Sequence, residues 1–398
     1  MPSIAILLVS ACMASLARAA VLPTDLESKI GAHYEPVDAD ERAIWRSMDR
    51  VEQTIRSSPQ RLIAPELDAY TRSVLERLIG RPAPDLRIYF MRDSSFNAAM
   101  FPSGMMIVNT GLLARVRNES QFAAVLGHEA GHYFLKHSLD RYRDIRQKSV
   151  MDQVIAAAAH EGYSPSDVGT ESWAAIGQVI LMSIFKFSRD QESEADAYGL
   201  MLMARAGYPP RSAAAMCEQL IAERRASAAA RDKRYFEEMS SALSTHPSTE
   251  RRVTDLADTA DYLAKTGKLS SSEKPDEWGA VIRPYHAMLL QEQINLNDPG
   301  ASLYLLENLA KDGWTGLLRF NEGEVYRLRN AKGDDLKAAA AYAAAVKIEG
   351  APAEAWRAHG YALLKTGNKA EAYEALNRYL AMKPECPDAA MIRFTLTH

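Results

Sequence analysis

The chain has 398 residues, 47% of them apolar, enough to bury a sizeable core and to divide into two or three domains. Charged residues make up 25% and the formal net charge is −4, with basic residues spread along the chain and never in a long run. That balance excludes nucleic acid and an acidic membrane surface as expected partners.

Residues 4–17, IAILLVSACMASLA, are apolar or small throughout, and Ala17-Arg18-Ala19 offers a small-x-small site before the polar VLPTDLESK. This is the layout of a secretory signal peptide covering 1–19, although no Lys or Arg precedes the apolar run. Val9-Ser10-Ala11-Cys12 offers an alternative, lipidation of Cys12. The residues after Cys12 stay apolar, which suits a continuing signal better than a mature tether. No other stretch reaches the ~20 apolar residues of a membrane span. The nearest, AAIGQVILMSIF at 174–185, is short and carries Gln178, so it reads as a buried helix or a lid. Export permits a disulfide between Cys217 and Cys386, and neither has a second Cys or His at zinc-ligand spacing.

Apolar residues three and four apart predict helices in DADERAIWRSMDRVEQTIRSS and APELDAYTRSVLERLIG, ended by Pro82 and Pro84. LRIYFMRD, 86–93, reads as a strand, and 105–110 of MMIVNTGLLARV as a second, with a helix starting at 111. NESQFAAVLGHEAGHYFLKHSL, 118–139, reads as one helix with Asn118 as N-cap and Gln121 three residues on. SRDQESEADAYGLMLMARAGY, 188–208, reads as another, ended by Gly207 and Pro209-Pro210. Residues 266–278 have the Ser, Pro and charge content of a linker. Beyond it, taking Trp356 as position 4 of a 34-residue helix-turn-helix unit puts Gly360 at 8, Ala372 at 20 and Pro384 at 32. Gly323, 37 residues before Gly360, marks a looser copy, so 279–398 reads as an all-α tetratricopeptide-like domain.

Within the 118–139 helix, His128 and His132 lie about 40 degrees apart and can reach one metal ion. Glu129 sits about 100 degrees round, beside the ion, as a general base for an activated water requires. A catalytic zinc needs a third protein ligand. His137, extrapolated along the same helix, projects about 180 degrees from His128 and is set aside. Glu192 and Glu194 compete for the place. Glu192, Ala195, Asp196, Gly199 and Met203 share one helix face, small around its acids, whereas Glu194 points the other way. Glu192 is therefore preferred, with Asp196 one turn on to accept a hydrogen bond from a ligand imidazole.

These segments, with Asn97-Ala98 and Pro102-x-Gly104 before MIVNTGLL, AGYPP behind the second helix, and THPSTERR, occur in one order over residues 85–255. In that combination the chain resembles the HtpX and CAAX-prenyl-protease superfamily of gluzincin metallopeptidases, most closely its periplasmic BepA-like branch. The resemblance implies an α+β, mostly helical fold: a zincin-type peptidase domain at 20–265 with a small sheet and an HExxH helix, then the repeat domain. It implies one Zn2+ per chain on His128, His132 and Glu192, with Glu129 as catalytic base and Asp196 behind the ligands. It also implies that Ile107, Val108 and Asn109 form the edge strand that aligns an extended peptide. His246 and Arg252 match the His-Pro…Arg segment as catalytic residues, His246 either stabilising the oxyanion or capping the open zinc position. Phe101 and Ser103 depart from the pattern before that strand, which leaves subsite preference open. The function implied is an exported zinc endopeptidase of the periplasm, with no transmembrane span in the mature chain. Its substrates would be unfolded or misassembled envelope polypeptides, in outer-membrane protein quality control. The repeats would recruit substrate or dock on outer-membrane assembly machinery. The alternative is a chaperone or adaptor with a latent zinc site, acting through the repeats.

Overall fold

A computed structural model of the protein describes residues 35–80, 83, 86–147, 187–231, 249–266 and 277–397. The expected signal peptide with Cys12, the 174–185 stretch expected as a buried helix or a lid, His246 and most of the linker lie outside them. The chain divides into two compact units, residues 1–221 with 236–283, and residues 222–235 with 284–398. Among the described residues no helix is long and apolar enough to cross a membrane.

The first unit begins with α1, Ala39–Ser57, capped by the Asp38 carboxylate accepting from Glu41 N–H at 2.8 Å. A short strand β1, Arg61–Leu62, leads to α2, Pro65–Ile79, closed by Gly80 in the left-handed region at φ 81°. Then come β2, Arg87–Met91; β3, Ala98–Met100; and β4, Met105–Asn109. The four strands pair in the order β1-β2-β4-β3, with β2 parallel to β4 and β3 antiparallel to it. A turn of helix, α3 (Thr110–Leu113), leads to α4, Glu119–Phe134. Asn118 caps α4 through Gln121 N–H, as its sequence predicts. Helix α5, His137–Gln147, follows; α6, Arg189–Ala206, opens on a full Ser188–Gln191 capping box and closes at Gly207. α7 (Arg211–Ala229), which belongs to the first unit only as far as residue 221, α8 (Glu250–Thr266) and α9 (Trp278–Ile282) follow.

The sheet is tied to α1 by charge as well as packing. The buried Glu52 carboxylate accepts from Arg87 through both oxygens at 2.7 Å, and from Tyr89 Oη at 2.7 Å. Burial raises the Glu52 carboxyl, and the hydrogen bonds from Arg87, Tyr89 and Arg56 more than reverse this, bringing it to about 2. Glu119, at the start of α4, accepts from Tyr70 and Tyr208 and pairs with Arg77 at 2.8 Å, anchoring that helix end to α2.

The first unit runs past the expected linker to Arg283. The reason is Trp278, 1% exposed, which stacks near Phe122 and Tyr70 and donates its indole N–H to Val116 O at 2.9 Å. Its tryptophan core outweighs the linker-like composition around it.

The second unit is helical: α10 (His286–Asn295), α11 (Pro299–Leu309), α12 (Gly316–Arg329), α13 (Asp334–Ala345), α14 (Ala353–Lys365), α15 (Lys369–Met382) and α16 (Ala389–Thr397). α12 packs on α13 and α14 on α15 as helical hairpins. Each hairpin closes on a glycine: a Cβ on Gly323 would meet the Tyr342 ring at 2.3 Å, and one on Gly360 would meet Leu376 Cγ at 2.7 Å. Neither Cys217 nor Cys386 is in a disulfide among the described residues.

Candidate metal centre

Helix α4 is polar at its centre yet buried on nearly every face. Its long side lies against α6, and the contact is made by small residues. A Cβ on Gly199 would sit 2.8 Å from His128 N, and one on Gly131 would sit 2.8 Å from Ala195 O. Gly127, Gly131, Ala195 and Gly199 therefore let two backbones approach where larger side chains would hold them apart. This is the small face that the sequence placed around Glu192 and Asp196. Gly199→Ala is expected to cost about 1–3 kcal/mol, since the clash is with main chain that cannot rotate away. Urea unfolding of the variant reads this, and wild-type stability would show that the crossing tolerates a methyl group.

The close crossing brings His128 Nε2 and His132 Nε2 to 3.1 Å from each other. Glu192, 8% exposed, sets one carboxylate oxygen 3.6 Å from His128 Nε2 and the other 3.4 Å from His132 Nε2. The three ligand atoms all fall within 4.8 Å of one another. Two imidazole nitrogens and a carboxylate, buried and converging, are the donor set of a divalent metal with borderline-soft character. The residues present fit such an ion, and Glu192 rather than Glu194 is the acid beside the two histidines.

Glu129 lies on the next side of α4, 3% exposed, and its Oε2 accepts from Met100 N–H at 3.1 Å. The Asn97 carbonyl and the Phe101 N–H bond to β4. In the alternation of an antiparallel ladder, Ala98 and Met100 therefore turn their backbone groups outward, toward α4. This corrects the expectation for Ile107, Val108 and Asn109. They lie on β4, which is paired on both sides, so they have no free edge to offer. The outer strand is β3, three residues of Ala-Ala-Met, too short and too weak in β propensity to register in the sequence. Asn109 instead donates its side-chain amide to Ser95 Oγ at 2.9 Å, holding the loop that leads into β3.

Behind the histidines stands a largely buried ion pair. Asp196 Oδ1 lies 2.8 Å from His128 Nδ1, and Arg252 on α8 donates to both Asp196 oxygens, at 2.8 and 2.7 Å. Arg252 also reaches within 3.5 Å of Glu192. Burial pushes the Asp196 carboxyl up, and the Arg252 and His128 groups beside it more than reverse that, leaving it well below the usual carboxylate range. Arg252 is burdened by burial too, and Asp196 and its other neighbours raise it well above its ordinary value. Arg252 thus sits behind the ligands. His246 lies outside the described residues.

His137 does not project away from the site. Helix α4 ends at Phe134, and Lys136 takes a left-handed conformation at φ 56°. The chain turns and starts α5 at His137, which folds back until its Nδ1 is 2.8 Å from His132 Nδ1. Its Nε2 is 3.2 Å from Glu194 Oε2. Burial first, and then the nearby His128, push the His137 ring down to about 4. The extrapolation failed because it continued the helix through a residue with no Gly or Asn signal for a stop. Phe187 stacks on His132, centroids 3.9 Å apart, and has no mark in the sequence.

A cavity of about 70 Å³ opens beside His128, Glu129 and Arg252. The rest of its wall is mostly apolar, with Leu112, Met216, Leu220 and Leu256 in it.

The sequence pattern of Peptidase family M48 matches residues 62–260, half of the chain, and takes in both helices of the site. The chain belongs to peptidase family M48. Among curated M48 relatives, the mitochondrial metalloendopeptidase OMA1 of Schizosaccharomyces pombe is 30% identical over 225 residues, 52% of this chain and 60% of that protein. The beta-barrel assembly-enhancing protease of Escherichia coli is 24% identical over 329 residues, 70% of this chain and 64% of that protein. The putative beta-barrel assembly-enhancing protease of Vibrio cholerae is 26% identical over 219 residues, 53% and 43% of the two chains. The chain spans less than two thirds of each of these M48 relatives.

Proposed function

We propose that the protein is a zinc-dependent endopeptidase acting on unfolded or misassembled envelope polypeptides. The observation that carries the reading is the convergence of His128, His132 and Glu192 on one point with Glu129 beside it. His128, His132 and Glu192 would hold one Zn2+ per chain; the ion, when bound, supplies Lewis acidity that lowers the pKa of a water and polarises a scissile carbonyl. Glu129 takes the water's proton and delivers it to the leaving amine. The Met100 N–H fixes that carboxylate's direction. Asp196, clamped by Arg252, holds the His128 ring in the tautomer with Nδ1–H. The outward backbone groups of β3 other than the Met100 N–H would pair with an extended substrate, a mode open to any unfolded chain. An apolar substrate side chain fits the cavity beside Glu129.

Envelope location rests on the apolar N-terminal stretch and on the similarity to beta-barrel assembly-enhancing proteases. Proposed partners are unfolded chains and, through the second unit, outer-membrane assembly machinery. The tetratricopeptide reading of that unit is supported by its two hairpins and by Gly323 and Gly360 at their close approaches. The deciding experiment is degradation of casein by the full chain with and without a metal chelator. Cleavage that stops with chelator and returns with Zn2+ is expected. Cleavage indifferent to chelator, or none in the zinc-loaded protein, overturns the reading.

A further inference from the structure

We infer that His137 and Glu194 are positioning residues for the second histidine of the metal site, forming a relay His132–His137–Glu194 parallel to the His128–Asp196 pair. The inference rests on the metal reading above.

The argument is one of donors and acceptors. If His132 Nε2 keeps its lone pair for a metal, its hydrogen must sit on Nδ1. The atom facing Nδ1 at 2.8 Å is His137 Nδ1, which must then accept. A neutral imidazole that accepts at Nδ1 carries its hydrogen on Nε2. That nitrogen faces the Glu194 carboxylate at 3.2 Å, an acceptor of the right sign. Every hydrogen in the chain points from the metal side outward, and the tautomer of each ring follows from the one before it. His128 reaches its carboxylate directly at 2.8 Å, while His132 reaches one through an intervening ring.

The geometry shows why two devices are needed. Asp196 and Glu194 both lie on α6, two residues apart, and face different sides of that helix. Asp196 is on the side that meets α4, so one carboxylate serves His128 and cannot also serve His132. Glu194 faces away from the crossing and is out of direct reach. The left-handed turn at Lys136 brings His137 back between them. His132 is then held from both sides, by hydrogen bond at Nδ1 and by the stacked Phe187 across its face. Carboxylates behind metal-bound imidazoles raise ligand basicity and typically change metal affinity by about 10–100-fold.

The test is competition between the full chain, stripped of metal, and a chromophoric chelator for Zn(II) alone. His137→Ala is expected to weaken Zn(II) binding about 10–100-fold. His137→Asn places Oδ1 where Nδ1 stood, keeps an acceptor for His132, and is expected to remain within about threefold of wild type. Glu194→Gln keeps an acceptor without the charge and is expected to weaken binding by less than His137→Ala. Thermal unfolding of the metal-free variants reads packing separately. The inference is overturned if His137→Ala binds like wild type, or if His137→Asn is as weak as His137→Ala. Should the alanine variant fail to fold, the asparagine variant decides alone, by near-wild-type affinity or by its loss. His132→Ala is the control: if it too binds Zn(II) normally, the metal site itself is misplaced, and that failure is distinct from failure of the relay.

Discussion

Glu129→Gln is expected to bind metal like the wild type and to cleave unfolded protein at least about a thousandfold more slowly, within the range that a positioned general base contributes. The amide keeps the shape of the side chain and can still accept from Met100 N–H at 3.1 Å, so the helix and strand should hold their places. What it loses is the ability to take a proton. Metal content by atomic absorption and casein cleavage by the purified full chain together check this. A variant that keeps both metal and rate would remove Glu129 from the chemistry. The same variant separates proteolysis from a chaperone role: full rescue of a null strain would place the main function outside hydrolysis.

Asp196→Asn is expected to have the largest effect on stability. Arg252 is held by two hydrogen bonds to Asp196, and both groups are largely out of water. Removing the negative charge leaves a guanidinium with Glu192 at 3.5 Å as its nearest remaining acid in that cluster. Breaking a buried pair from one side typically costs about 3–5 kcal/mol, because the surviving charge stays desolvated. Urea unfolding of the metal-free chain measures it. The double variant Asp196→Asn with Arg252→Leu should recover a good part of the loss, whereas additive losses would show that the pair is not the cause. Metal affinity should fall as well, since the amide leaves His128 Nδ1–H only an uncharged, weaker acceptor. The sign of the pH dependence follows from the Asp196 carboxyl lying below its usual range in the folded state. Its stabilisation is complete at neutral pH and declines only as pH falls below about 4, the value of an unfolded aspartate.

Much of the site was legible in residue spacing. A spacing of four from His128 to His132 places two rings on one helix face, and the same spacing from Glu192 to Asp196 places two carboxylates on another. The small residues at 195 and 199, around the two acids, pointed to a close crossing; Gly127 and Gly131 on the facing helix emerged as its other half only in the folded chain. One helix start was equally readable: Asn118 caps as its side chain predicts.

Other features needed the folded chain. The outer strand on the side of the site is Ala98–Met100, and its position next to Glu129 depends on which strand β4 pairs with on its far side. Strand order is set by contacts between segments distant in sequence, and a three-residue strand carries no alternation to reveal it. The end of the catalytic helix was missed because Lys136 enters the left-handed region without glycine, at a place where packing rather than propensity stops the helix. Trp278 looked like the end of a linker and is core. Spacing along a helix is a local property, fixed by 3.6 residues per turn, so the sequence alone determined which side chains could act together on one element. Which elements meet is a matter of tertiary packing, and that alone decided that Met100 holds Glu129, that Arg252 clamps Asp196, and that His137 stands behind His132.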